Sequence, residues 1–301
     1  MLSAYLAIIV GLVVLVWSAD RFVLGAAATA RRFGMSPLLV GMTIVSLGTS
    51  APEIFVSLTA SLEGAGTLAI GNALGSNIAN IGLVLGITAL IAPLPIQSRM
   101  LKKEVPILLL VTVIAGLVLQ DLSVSFWDGI VMLGCLVVTL FWLFNENSEQ
   151  GIGGLDSEES QEIEAMTKAK SIFWLVVGLV ALMLSAKLLV WGAVDVARAF
   201  GISELVIGLT IVAIGTSLPE LAASITSALK GHHDIAIGNI IGSNIFNLLA
   251  VMPIPGLIAH TVVQPEALYR DYASMLLLTL GLIAFIYMFR RKGRVGRTAG
   301  G

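Results

Sequence analysis

The chain has 301 residues, of which 57% are hydrophobic and 12% charged, and its net charge is −2. With a mean hydropathy of +0.98, it carries more apolar surface than a soluble domain can bury, which excludes a soluble globular protein and implies a polytopic membrane protein. Its one cysteine, Cys135, lies in an apolar run and excludes an internal disulfide or a thiolate metal cluster.

The N-terminal stretch has no basic segment before its apolar run and is followed by further apolar runs. It reads as a first membrane helix, not a cleaved signal. Runs long enough to span a bilayer fall at 3–28, 37–61, 67–92, 104–120, 125–144, 171–197, 204–229, 235–259 and 268–289, predicting nine helices. Loop lysines and arginines orient them. With the N-terminus outside, Arg31, Arg32, Arg99, Lys102, Lys103, Lys168, Lys170, Lys230 and the basic cluster from Arg290 to Arg297 face the cytoplasm. Only Arg198 and Arg270 then lie outside, so the reading is N-terminus out and C-terminus cytoplasmic. Arg21 and Lys187 lie within spans and are read as snorkelling. Asp20 and Asp195 read as charges at helix ends, and His232 and His233 as solvated loop residues.

Residues 41–91 recur as 208–258 at a constant offset of 167, without a gap and identical at 26 of 51 positions. Such a duplication in a hydrophobic chain marks a transporter built from two structural repeats. An odd number of spans precedes the connector, so the second repeat is expected to be inverted. The predicted organisation is a first transmembrane repeat at 1–144, a cytoplasmic linker at 145–170 and a second, inverted repeat at 171–301. The linker carries seven carboxylates against two lysines and reads as a solvated segment or a cation sensor. The register places the start of a tenth helix at residue 292, where the sequence reads Arg291-Lys292-Gly293-Arg294. The expected fold class is therefore an all-α polytopic membrane protein of two inverted repeats of about five helices, with the tenth absent from this chain.

The repeats agree most closely at polar positions. Gly48-Thr49-Ser50-x-Pro52-Glu53 returns as Gly215-Thr216-Ser217-x-Pro219-Glu220. Glu53 and Glu220 are the carboxylates set deep in the spans, with no basic neighbour in sequence. An ionised carboxylate at that depth costs several kcal/mol or more, so it faces a cavity and finds a partner. A bound cation supplies that charge; protonation of the pair is the alternative. Pro52 and Pro219 lack an amide hydrogen, which frees the carbonyls of Gly48 and Gly215 and breaks the helix. Thr49, Ser50, Thr216 and Ser217 add hydroxyl oxygens. Oxygen ligands without His or Cys suit Na⁺ or Ca²⁺, not zinc or copper. A second motif, Gly71-Asn72 through Asn80, recurs as Gly238-Asn239 through Asn247. Ser76 and Asn80, like Ser243 and Asn247, share one helix face and serve ion contact or interhelical hydrogen bonding. Gly71 with Gly75, and Gly238 with Gly242, read as packing faces.

On these motifs the chain, from residue 1 to about 290, resembles the sodium/calcium exchanger family of the calcium/cation antiporters, most of all its short bacterial inner-membrane branch. The resemblance implies two five-helix repeats whose second, third, seventh and eighth helices enclose the ions. It implies that Glu53 and Glu220 are central ligands shared by Ca²⁺ and Na⁺, and that Thr49 and Thr216 add oxygens to the calcium site. Ser50, Ser76, Ser217, Ser243 and the carbonyl of Ala213 would serve flanking sodium sites, and the first and sixth helices would slide to alternate access. Several relatives carry an aspartate at one of the positions matching Asn80 and Asn247; here both are amides, so two carboxylates balance one Ca²⁺ or two Na⁺. The expected function is secondary antiport of Ca²⁺ for Na⁺, with these ions as cargo, no cofactor, the lipid bilayer as surroundings and no nucleic acid. Coupling to H⁺ is the alternative on the same fold. A passive channel or a membrane-embedded hydrolase ranks lower; the sequence offers no nucleophile–His pair, His ligand pattern or phosphate loop.

Overall fold

In lipid a backbone has to satisfy its hydrogen bonds internally, which makes the apolar runs helical. The computed structural model describes residues 1–95, 103–146, 163, 165–203, 207–289 and 294–295. Its helices are α1 (Leu2–Phe33), α2 (Pro37–Thr49), α3 (Ala51–Leu62), α4 (Gly66–Ile91), α5 (Glu104–Asp121), α6 (Phe126–Asn145), α7 (Lys168–Ala199), α8 (Thr210–Thr216), α9 (Leu218–Leu229), α10 (His233–Ile258) and α11 (Ala267–Tyr287). Among the described residues, seven are long and apolar enough to cross a membrane, and nine spans result if the bent pairs α2–α3 and α8–α9 each count as one. The protein is an all-α, multi-pass membrane protein. Most of the residues 145–170 and the start of the expected tenth helix lie outside the described residues. Arg294–Val295 form a two-residue strand paired with Leu94–Pro95.

The backbone repeats itself in the sequence register. α1 ends at Gly34, with φ 67°, and α7 at Gly201, with φ 75°. Both are left-handed closures that only a residue without Cβ makes freely. Met35 N–H bonds to Ala30 O at 2.9 Å, and Ile202 N–H to Ala197 O at 3.1 Å.

The chain forms two compact units, each drawing on both halves of the sequence. One comprises Met1–Thr49 and Asn147–Asn239. In it α1 lies antiparallel along α7, backbone against backbone at four glycines. A Cβ on Gly178 would stand 2.5 Å from Phe22 N, one on Gly192 2.6 Å from Ala4 O and one on Gly11 2.9 Å from Leu189 N, and Gly25 meets Leu175 N still more closely. Without a hydrophobic force between helices in lipid, such close approach is what holds them. Phe22, Leu15, Leu24, Leu182 and Ala223 form the buried cluster around it. Ile163 and Met166, at the end of the linker, join that cluster, and Arg32 Nε donates to Met166 O at 2.6 Å. This part of the linker is therefore anchored, not solvated. His232 is likewise buried. Asp20 lies within α1, not at its end, and pairs with Lys230 at 2.7 Å. Gly178→Ala should destabilise the protein by about 1–3 kcal/mol, because main-chain atoms cannot step aside. Gly281→Ala, in α11 with open space around it, should instead be neutral or stabilising by up to ~1 kcal/mol. Thermal unfolding of the two variants in detergent checks the contrast.

The other unit comprises Ser50–Glu146 and Ile240–Gly301. Here the second part of α10 packs on α3, with Ser57 Oγ donating to Val251 O at 3.0 Å. It also packs on α6, where Gly129 meets Leu257. Ser123–Val124 pair with Thr261–Val262 as a short antiparallel clip. Tyr272 Oη donates to Thr112 O at 2.9 Å, tying α11 to α5. The reading of Gly71 and Gly75 as a packing face fails among the described residues, since no atom lies within 4 Å of a Cβ at either. Small residues permit close approach but do not supply the partner. In the first unit Gly238 does pack closely: a Cβ there would stand 2.6 Å from Leu38 O.

Candidate functional site

Both GTSxPE motifs break their helix at the serine. Ser50 has φ −82° and ψ 5°, Ser217 φ −88° and ψ 4°, and a new helix starts on the next residue. The bends are 42° for α2–α3 and 52° for α8–α9. Proline explains them, since Pro52 and Pro219 cannot donate to the carbonyls one turn back. Four π-helical turns flank the motifs, at 41–45, 80–85, 208–212 and 247–251. They fall in two pairs that share the offset of 167. π turns are rare and concentrate at functional sites. Two of them begin at Asn80 and at Asn247.

In the unit containing Ser50–Glu146, Glu53 is 1% exposed. Its Oε1 accepts the Ser76 hydroxyl at 3.4 Å. Its Oε2 is buried and has no hydrogen-bond partner among the described residues. Ser50, three residues earlier on the chain, is also buried. Asn80, Ser243 and Asn247 are buried in the same unit, and their side-chain oxygens have no hydrogen-bond partner among the described residues. In the other unit, Glu220 is 1% exposed, and Ser217 is buried with an Oγ that makes no hydrogen bond among the described residues. Thr49 is buried and donates to Asn239 Oδ1 at 3.0 Å. Thr216 is only partly buried and donates to the carbonyl of Ala213, an exposed residue, at 3.1 Å. The two threonines of the repeat are thus in different environments.

Reading the motifs residue by residue missed Asn72 and Asn239, which contact the main chain of the two glutamates. It also missed Asn77 and Asn244. Asn77 Nδ2 donates to Asn244 O at 3.2 Å, and Asn244 Nδ2 to Ile240 O at 3.0 Å. Their position inside the repeated GNxxGSNIxN segment was the available signal.

Buried oxygen-rich motifs on two membrane helices, each broken once, point to a class: a secondary transporter of hard cations. The chain belongs to the sodium/calcium exchanger family, whose model, described as sodium/calcium exchanger protein, matches residues 3–145 and 170–301. It is similar to the inner membrane protein YrbG of Escherichia coli (strain K12), 45% identical over 304 residues covering 100% of this chain and 93% of that protein. It is similar also to the sodium/calcium exchanger MaX1 of Methanosarcina acetivorans, 32% identical over 318 residues covering 94% of this chain and 91% of that one. A solved structure of the sodium-calcium exchanger NCX_Mj, soaked with Na⁺ and Sr²⁺, superposes with a TM-score of 0.83 at 33% identity, covering 99% of this chain and 94% of that one. The protein is therefore a cation antiporter of the sodium/calcium exchanger family, and not an enzyme.

Proposed function

We propose that this protein exchanges Ca²⁺ for Na⁺ across the bacterial inner membrane by alternating access, and that Glu53 and Glu220 hold the transported cation. The observation that carries this reading is the set of buried oxygens on Glu53, Asn80, Ser217, Ser243 and Asn247 with no hydrogen-bond partner among the described residues. Buried polar atoms find partners as a rule, and a set of orphaned oxygens at repeated motif positions suits a dehydrated hard cation. Thr49, Thr216, Ser50, Ser76 and the carbonyl of Ala213 complete the proposed ligand set. The repeats at 1–144 and 171–301 are inverted in this account, the N-terminus lies outside, and the acidic segment 145–170 is cytoplasmic. The relatives named as sodium/calcium exchangers support Na⁺ as the counter-ion.

Uptake of radiolabelled Ca²⁺ into proteoliposomes tests the ion pair. An outward Na⁺ gradient should drive uptake that a protonophore leaves intact. Uptake driven by a proton gradient without Na⁺ would overturn Na⁺ coupling in favour of H⁺, and uptake indifferent to any counter-gradient would indicate a channel. Ca²⁺ and H⁺ compete for the same carboxylate oxygens, so binding of one releases the other. Apparent Ca²⁺ affinity should therefore weaken as pH falls. Affinity measured at several pH values checks this, and a flat profile would contradict it.

A further inference from the structure

One contact is made twice in this protein, once in each compact unit. Asn72 Nδ2 donates to the main-chain carbonyl of Glu53 at 3.3 Å, and Asn239 Nδ2 donates to that of Glu220 at the same distance. Both pairs are 19 residues apart, and donors and acceptors alike are related by the repeat offset. We infer that Asn72 and Asn239 are positioning residues that aim the carboxylates of Glu53 and Glu220 at the cation. This rests on the proposal that the two glutamates hold the ion.

The need for such a contact follows from the helix break. Glu53 and Glu220 stand in the first turn after Ser50 and Ser217, where proline has removed the hydrogen bond that would join them to the preceding turn. A carbonyl oxygen has two lone pairs, so one remains for a side-chain donor even when the helix ladder uses the other. Fixing that carbonyl fixes the peptide plane, and with it the direction in which Cβ and the carboxylate leave the main chain. A ligand must hold its place within about 0.5 Å, and on a broken helix that restraint has to come from a neighbouring element. Asn72 and Asn239 supply it from the helices that carry the second motif.

Asn239 does more than its mate. It is fully buried and uses both sides of its amide. Nδ2 also reaches Ser224 Oγ at 3.0 Å, and Oδ1 accepts the Thr49 hydroxyl at 3.0 Å, with Ser46 O a longer alternative acceptor for that hydroxyl at 3.4 Å. The Thr49 proton is thereby turned to the amide, which leaves the oxygen's lone pairs for another partner. Asn239 thus positions Glu220 and orients Thr49, two members of the proposed ligand set, with one side chain. Asn72 is only partly buried and holds Glu53 alone.

The test compares Asn72→Ala and Asn239→Ala in the full chain, reading the Ca²⁺ concentration for half-maximal exchange, the maximal rate, and the thermal midpoint without Ca²⁺. With a net hydrogen bond worth about 1 kcal/mol, the half-maximal concentration should rise about fivefold in Asn72→Ala and at least about tenfold in Asn239→Ala. The maximal rate should fall less than the affinity. If Asn239→Ala does not fold, Asn72→Ala, at a part-exposed position with one contact, still decides the matter. A lowered thermal midpoint with wild-type half-maximal Ca²⁺ would overturn the inference and leave the asparagines as packing residues. Glu53→Gln and Glu220→Gln are run in parallel: wild-type behaviour in those would overturn the ion-site proposal itself, whatever the asparagine variants do.

Discussion

Glu53→Gln and Glu220→Gln should each abolish Ca²⁺ exchange while leaving a folded, membrane-inserted protein. Both side chains are 1% exposed. Each substitution preserves shape and the capacity to accept a hydrogen bond, so Ser76 keeps a partner at position 53. In the proposed site, what is lost is one of two negative charges facing a divalent ion. Two unit charges about 4 Å apart attract by on the order of 4 kcal/mol at an effective dielectric near 20, equivalent to about three powers of ten in affinity. Transport assays in proteoliposomes, alongside size-exclusion profiles to establish folding, measure this. Exchange at the wild-type rate in either variant would remove that glutamate from the site.

Asn247→Asp should act in the opposite direction. Asn247 is fully buried, opens a π turn, and has an amide with no hydrogen-bond partner among the described residues. If it faces the cation, a carboxylate there adds a third negative charge, and Ca²⁺ binding should tighten by about tenfold after desolvation offsets much of the Coulomb gain. The gain should be confined to neutral and alkaline pH, because a protonated aspartate is a neutral group much like the amide it replaces. Asn80→Asp, at the repeat-related position, should shift affinity in the same sense. Ca²⁺ binding measured at pH 6 and pH 8 separates the cases. Identical binding by both variants and wild type would return these amides to helix packing.

The sequence made the spans legible because lipid leaves few options: an apolar run of the right length becomes a helix. The two helix breaks were legible for an equally local reason, since Pro52 and Pro219 cannot continue the ladder. The π turns at Asn80 and Asn247 were not, because an extra residue per turn leaves no composition signal and is decided by packing. Asn72 and Asn239 were visible as repeated residues, but a role exercised through a neighbour's main-chain carbonyl has no signature in the residue type. Gly71 and Gly75 show the converse failure, since a small-residue pair states what could pack without stating that anything does. The buried Ile163, Met166 and His232 were lost among the polar residues around them; composition averages over a segment, whereas burial is decided side chain by side chain.

In the proposed mechanism the paired motif carboxylates bind the cargo ion. Isothermal titration of Ca²⁺ into the purified protein in detergent tests it most directly, with wild type beside the Glu53→Gln/Glu220→Gln double variant and with Na⁺ as competitor. Wild type should bind Ca²⁺ saturably, with Na⁺ displacing it, and the double variant should bind none; Ca²⁺ bound equally well by the double variant would contradict a carboxylate site.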